Sequence, residues 1–136
     1  MATNPTFVKG IDTVQPVKAK HFDLTLADFT ARNNVIAVSL PPGSEVVGGA
    51  MNVITAANTT LTATVSIGDA ALATRYLAAT NVKAVARTAL TVTGFKNDGR
   101  TNVLVAAAFG DATTTALKIR VTIQYVVLGE GSYTEG

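Results

Sequence analysis

TALKIRVTIQYVVL, residues 115–128, alternates with a period of two along its length. Leu117, Ile119, Val121, Ile123, Tyr125 and Val127 fall on one side; Lys118, Arg120, Thr122 and Gln124 fall on the other. Successive side chains of an extended strand point to opposite faces, so this pattern is a strand with one face in a core and one in water.

Upstream, the same signature repeats at short intervals. Asn102–Phe109 is an apolar run bounded by the turn residues Lys96-Asn97-Asp98-Gly99-Arg100 before it and Gly110-Asp111 after it. Asp-Gly supplies the positive φ that tight turns need. Lys83–Phe95 is long enough for one or two strands. Thr60–Ile67 alternates again, with Leu61, Ala63, Val65 and Ile67 inward and Thr60, Thr62, Thr64 and Ser66 outward. Glu45–Thr55 is a strand interrupted by Gly48-Gly49, a pair that marks a bulge, a bend or a close backbone approach. Val35–Leu40 is an almost unbroken apolar run, which suits a strand covered on both faces. It ends at Pro41-Pro42-Gly43-Ser44. His21–Phe29 places Phe22, Leu24 and Leu26 on one side with Asp23 and Thr25 opposite, and Arg32-Asn33-Asn34 follows as a turn. Only Ala70–Ala79 has a helical composition, and ten residues make at best a helical turn or an irregular loop.

About eight short strands separated by Gly, Asn and Asp turns describe an all-β sandwich or barrel. Strand–helix alternation is missing, which argues against a parallel α/β sheet. The reading is a jelly-roll-like antiparallel β-sandwich, with an immunoglobulin-like sandwich as the alternative. Three segments follow: an extended N-terminal arm over 1–20, where Pro5 and Pro16 break pairing; the sandwich over 21–128; and a C-terminal tail over 129–136.

Composition narrows the function. The chain has 136 residues, and scaling laws allow about two-thirds of its unfolded surface to be buried. Charged residues make up 15%, against about 25% in ordinary soluble domains. Thr, Asn, Ser and Gly must therefore cover much of the outside, which suits a chain that lies against a partner. The net charge of +2 is too weak for nucleic-acid binding, which needs a concentrated basic patch. MATNPTFVKG lacks the apolar stretch of a secretory signal. The longest apolar run, Val103–Phe109, is far too short for a membrane helix. The expectation is synthesis in a cytoplasm, no membrane and no small-molecule substrate.

Chemistry is sparse. There is no cysteine and one histidine, His21, so thiolate and multi-histidine metal sites are excluded, and no cofactor is expected. His21 stands near Asp23, but no motif positions a nucleophile for it. Asp23 and Asp28, five apart on a regular strand, would face opposite ways and cannot act as a glycosidase pair. Gly48-Gly49 lies in a β pattern with no helix or Lys-Ser/Thr after it, unlike a phosphate loop. Asp98 and Asp111 lack the regular acidic spacing of a calcium loop. With no Trp, three Tyr and five Phe, an aromatic sugar platform is unsupported. No catalytic residue is assigned and an enzyme is not expected. Partner contacts are instead assigned to Phe7, Lys9, Lys18 and Lys20 in the arm and to Tyr133 in the tail, with Arg75 and Arg87 as polar surface contacts.

The run SEVVGGAMNVITAANTTLTATVSIGD (44–69), followed by ATRYLAATNVKAVARTALTVTG (73–94) and closed by ALKIRVTIQYV (116–126), resembles tailed-bacteriophage head decoration or cement proteins of the jelly-roll type. The resemblance spans roughly 21–128 and leaves the arm outside it. It implies a structural virion protein that binds the outside of the phage head and clamps adjacent major capsid subunits. It also implies a homodimer or homotrimer, on the general expectation of closed symmetry. A phage tail or adaptor sandwich and a carbohydrate-binding sandwich are the alternatives.

Overall fold

The computed structural model describes residues 17–31, 34–59, 61–110 and 114–127. The alternating segments form eight strands: β1 Lys18–Thr25, β2 Asn34–Leu40, β3 Ser44–Thr55, β4 Ala63–Gly68, β5 Leu77–Asn81, β6 Arg87–Ala89, β7 Thr101–Phe109 and β8 Lys118–Val127. They make two four-stranded sheets, ordered β1-β8-β3-β6 and β2-β7-β4-β5, with all pairs antiparallel.

The pairing is nested. β1 lies beside β8, β2 beside β7, β3 beside β6 and β4 beside β5, as in one long hairpin. That hairpin is rolled so that β8 also reaches β3 and β7 also reaches β4. The result is the eight-stranded jelly roll, in which two sheets bury one face each. Val46, Met51, Val53, Ile119, Val121 and Ile123 from one sheet meet Leu40, Val65, Ile67, Val103 and Val105 from the other, each at most 3% exposed. Truncating any one of the larger of these to alanine would cost about 2–5 kcal/mol, since close-packed sheets collapse only partly around a void.

Several sequence expectations need correction. The first strand ends at Thr25, not Phe29, because Leu26–Ala31 forms a short helix, α1. Thr25 opens it, and the Asp28 carboxylate accepts a hydrogen bond from the Thr25 N–H at 2.8 Å, one half of a capping box. Asp28 is thus a helix cap, and the strand-face argument made for it does not apply. β2 is not covered on both faces: its burial alternates, and Ile36 is 56% exposed. Leu61 precedes β4 and is exposed, not inward. Ala70–Ala79 is an irregular loop followed by β5, with Leu72 exposed while Tyr76 and Leu77 are buried. Lys83–Phe95 yields only the three-residue β6, and Glu45 bridges to Lys96 beyond it. Lys18 to Lys20, assigned to the arm, already belong to β1. Arg32, Asn33, Asp111 and the tail lie outside the described residues.

Gly48-Gly49 forms a bulge, where the register between β3 and β8 shifts between Val46 and Gly48. Gly49 adopts φ +135°, and a Cβ there would run into the Thr122 carbonyl oxygen and lie 2.9 Å from Leu90 Cδ1. Only glycine adopts that backbone without strain.

Topology sorts the loops into two ends. The β2–β3 turn, the β4–β5 loop (69–76) and the β6–β7 loop (90–100) share one end. At the other end, the Asn58 Oδ1 accepts from the N–H groups of Thr115 (2.8 Å) and Ala116 (3.1 Å), tying the β3–β4 loop to the start of β8.

Candidate functional site

Charge is distributed unequally between the sheets. Every charged strand residue sits in the sheet β1-β8-β3-β6: Lys18, Lys20, Asp23, Glu45, Arg87, Lys118 and Arg120. The strands β2, β4, β5 and β7 contain no Lys, Arg, Asp or Glu.

On the charged sheet the register aligns Asp23, Arg120, Asn52 and Arg87 in one row across all four strands. Arg120 donates two hydrogen bonds to the Asp23 carboxylate, Nε at 2.8 Å and an Nη at 3.2 Å, and Lys118 Nζ lies 3.8 Å from it. The Arg120 hydrogen bond holds the Asp23 pKa below the usual carboxylate range, aided by the charges of Arg120, Lys118 and His21. Asp23 in turn raises Arg120. His21 is exposed on β1 opposite Thr122, away from any nucleophile motif.

The opposite sheet has a different surface. Its outward positions form cross-strand rows: Asn34–Ala106–Ser66, Ile36–Leu104–Gly68, and Ala108–Thr64–Asn81. Side chains directly opposite on neighbouring strands lie close enough to act as one surface. The strands of this face contribute no charge and mostly small residues around the Ile36–Leu104 pair; the one cation that reaches it among the described hydrogen bonds is Arg100, from the β6–β7 loop, on Ser39. Strands without charges have no ions to strip of water when they are covered, so they suit burial against another protein.

At the loop end, this face runs into a cavity of about 350 Å³ lined by Asp69, Arg75, Phe95, Asn97 and Arg100, with Asn102 and Leu104 of β7 on its floor. Asp69, 4% exposed, organises the β4–β5 loop. Its Oδ1 accepts from the N–H of Ala71 (3.0 Å) and of Leu72 (2.8 Å), and its Oδ2 accepts from Arg75 Nε at 2.6 Å. The Arg75 guanidinium carbon sits 3.6 Å from the centroid of the Phe95 ring, so a cation–π contact joins this loop to the β6–β7 loop. Asn97 fastens the latter to β3, with its backbone N–H (2.8 Å) and its Nδ2 (3.3 Å) both donating to the Ser44 carbonyl. Beside this network the hydroxyls of Ser44 and Tyr76 are buried without a hydrogen bond of good geometry. Burial raises the Tyr76 pKa, Asn97 and Arg75 offset part of the rise, and Asp69 adds to it.

Of the contact residues expected from sequence, Phe7, Lys9 and Tyr133 lie outside the described residues. Lys18 and Lys20 lie on β1, the outer strand of the charged sheet, opposite Tyr125 and Ile123. Arg75 lies in the cavity, and Arg87 lies in the charged row. Sequence reasoning missed Asp69, Phe95 and Arg100 as a group, because they come together only through two loops. It also missed the uncharged face. Its signal is the lack of charge in 34–40, 63–68, 77–81 and 101–109, which has meaning only once those strands are known to share a sheet. Among the described residues, no group of three or more His, Asp or Glu could hold a metal ion.

No known protein-family model matches the sequence, and no curated protein matches it. Solved structures do. The chain superposes on a chain of the capsid asymmetric unit of cyanophage Pam1 with a TM-score of 0.70 and 27% identity, covering 93% of this chain and 96% of that one. A chain from the acidic stable capsid structure of Helicobacter pylori bacteriophage KHP30 matches with a TM-score of 0.60 and 20% identity, over 83% and 87% of the two chains. One from the capsid of Ralstonia phage GP4 matches with a TM-score of 0.59 and 22% identity, over 98% and 92%. The structural neighbours are thus chains of phage capsid structures, and each match covers more than four-fifths of both chains.

Proposed function

We propose that this protein is a structural, non-enzymatic component of a phage virion: a cement or decoration protein that sits on the outside of the head and ties neighbouring major capsid subunits together. The observation that carries the reading is the end-to-end likeness to a Pam1 capsid chain at 27% identity. That neighbour is a chain of comparable size, as an accessory of the shell would be. The uncharged face of β2-β7-β4-β5 supports it physically, as a surface suited to lie on another protein. Many weak contacts on a lattice hold such a protein in place, because each bound neighbour raises the effective concentration for the next contact. The segment ahead of β1 adds a second attachment, and the protein works as a homodimer or homotrimer with the major capsid protein as its partner.

Copy number tests this reading. Quantitative mass spectrometry of purified particles should give a lattice fraction of the major capsid protein, on the order of hundreds of copies. A few copies per particle would move the protein to the tail or an adaptor. Absence from particles would remove the virion role.

A further inference from the structure

The cavity at the edge of the uncharged face carries an unbalanced charge. Asp69 is its one acid, and both carboxylate oxygens are already engaged by two backbone N–H groups and Arg75 Nε. Against it stand two guanidiniums. Arg75 is held in place by Asp69 and by the Phe95 ring, with its side chain only 14% exposed. Arg100 donates to the Ser39 hydroxyl at 3.3 Å and is paired with no acid among the described residues. One positive charge therefore remains over, at the rim of a cavity of about 350 Å³ with Phe95 and Leu104 among its walls.

A planar carboxylate fits this arrangement. Guanidiniums present paired N–H donors that match its two oxygens, and Arg100 is exposed and so open to such a group. A nucleic-acid backbone fits poorly, because a single surplus cation beside a fixed aspartate offers no track for repeated phosphates. Asn102 and Leu104 belong both to the cavity and to the outward positions of β7. A group entering the cavity would therefore come from whatever covers that face.

We propose that the cavity receives the carboxylate of a glutamate or aspartate side chain projecting from the protein on which the uncharged face rests. This rests on the cement reading and deepens it. The uncharged strands supply contact area but little direction, and one charged peg at the edge of that face fixes the position of the clamp. Arg100 is the contacting residue; Asp69 and Phe95 are positioning residues that act through Arg75.

Two experiments separate this proposal from the reading beneath it. The isolated protein, labelled with ¹⁵N, is titrated with N-acetylglutamate N-methylamide and, in parallel, with N-acetylglutamine N-methylamide, so that the two probes differ only in the side-chain carboxylate. Saturable shifts confined to 69–75 and 95–102, seen with the acid alone and weakened by salt, support the socket. Arg100→Gln, which keeps a donor for Ser39, should weaken them about tenfold, the worth of one charge-assisted hydrogen bond. Equal shifts with acid and amide, or an unchanged titration in the variant, overturn the proposal. On particles, Arg100→Gln should need about tenfold more protein than wild type for half occupancy. Equal uptake of both proteins also overturns it, while leaving the cement role intact. Failure of wild type itself to bind particles refutes the cement role and, with it, a capsid carboxylate as the occupant.

Discussion

Alanine at Gly49 tests the account of the bulge in β3, because backbone strain and collision act there together. An L-residue at φ +135° stores about 1–3 kcal/mol of strain. The added methyl also meets the Thr122 carbonyl and approaches Leu90 Cδ1 to 2.9 Å, an overpacking cost of about 1–3 kcal/mol in a region with little room to yield. Gly49→Ala should therefore lose roughly 4 kcal/mol in all. Two other glycines give internal controls. Gly94 has φ +72° but nothing within 4 Å of its would-be Cβ, so alanine there should cost only the left-handed penalty of about 1–2 kcal/mol. Gly99 has open space and no positive φ, so alanine should change stability by no more than about 0.5 kcal/mol. At the usual unfolding entropy per residue, 1 kcal/mol is worth roughly 3.5 °C in a chain of this length. The expected drops in Tm by calorimetry are thus roughly 14 °C, 5 °C and less than 2 °C. Equal losses at Gly49 and Gly94 would refute the collision, and no loss at Gly49 would refute the bulge geometry itself.

Other tests follow from the same structure. Ser66→Asp and Ala106→Glu put a charge on the uncharged face at outward positions; Tm should move by less than about 2 °C while particle uptake collapses, as co-sedimentation would show. Unchanged uptake would remove that face from the interface. Asp69→Ala leaves two N–H groups and Arg75 without their acceptor, so roughly 2–4 kcal/mol should be lost, with faster hydrogen exchange over 69–76. Asp23 has a lowered pKa in the folded state, so its contribution is complete above its unfolded value and fades as pH falls through the folded one. Tm should fall on acidification below about pH 4, and Asp23→Asn should flatten that part of the profile; an identical slope in the variant would exclude Asp23 as the cause. Removing residues 2–16 should leave Tm unchanged, since β1 begins at Lys18, yet lower particle occupancy.

The strands were legible where one face is wet and the other dry. β8 and the central part of β4 stand where their alternation puts them, because a one-residue slip would expose a whole apolar face. The sandwich class followed from counting such strands, but the strand order needed the structure, since alternation carries no information about neighbours. Short-range signals were read less well. Thr25-Leu26-Ala27-Asp28 carries a capping signature that ends the first strand, yet the apolar positions on both sides of it fit a longer strand equally well. Leu61 was placed inward by parity alone, although the strand starts two residues later. The site was the least visible part. Arg75 was noticed as a surface arginine, but its partners Asp69 and Phe95 are 6 and 20 residues away along the chain. Nothing local marks them as neighbours. The sheets' unequal charge was written plainly in the sequence and became readable only when topology sorted the strands.

The nested pairing has a consequence for how the chain is made. β8, the last described strand, lies between β1 and β3, which do not touch each other. While a ribosome is still adding residues 118–127, the first and third strands have no partner between them. Both present bare hydrogen-bonding edges that another chain could pair with. Half of the sandwich therefore closes only after synthesis has passed β8. Pairings that span nearly the whole chain also close slowly, on a scale of roughly milliseconds to seconds for all-β domains. The low charge then becomes a hazard, since little repulsion keeps two unfinished copies apart. When the chain is overproduced, the yield of folded protein should accordingly fall as self-association of unfinished copies outpaces closure by β8.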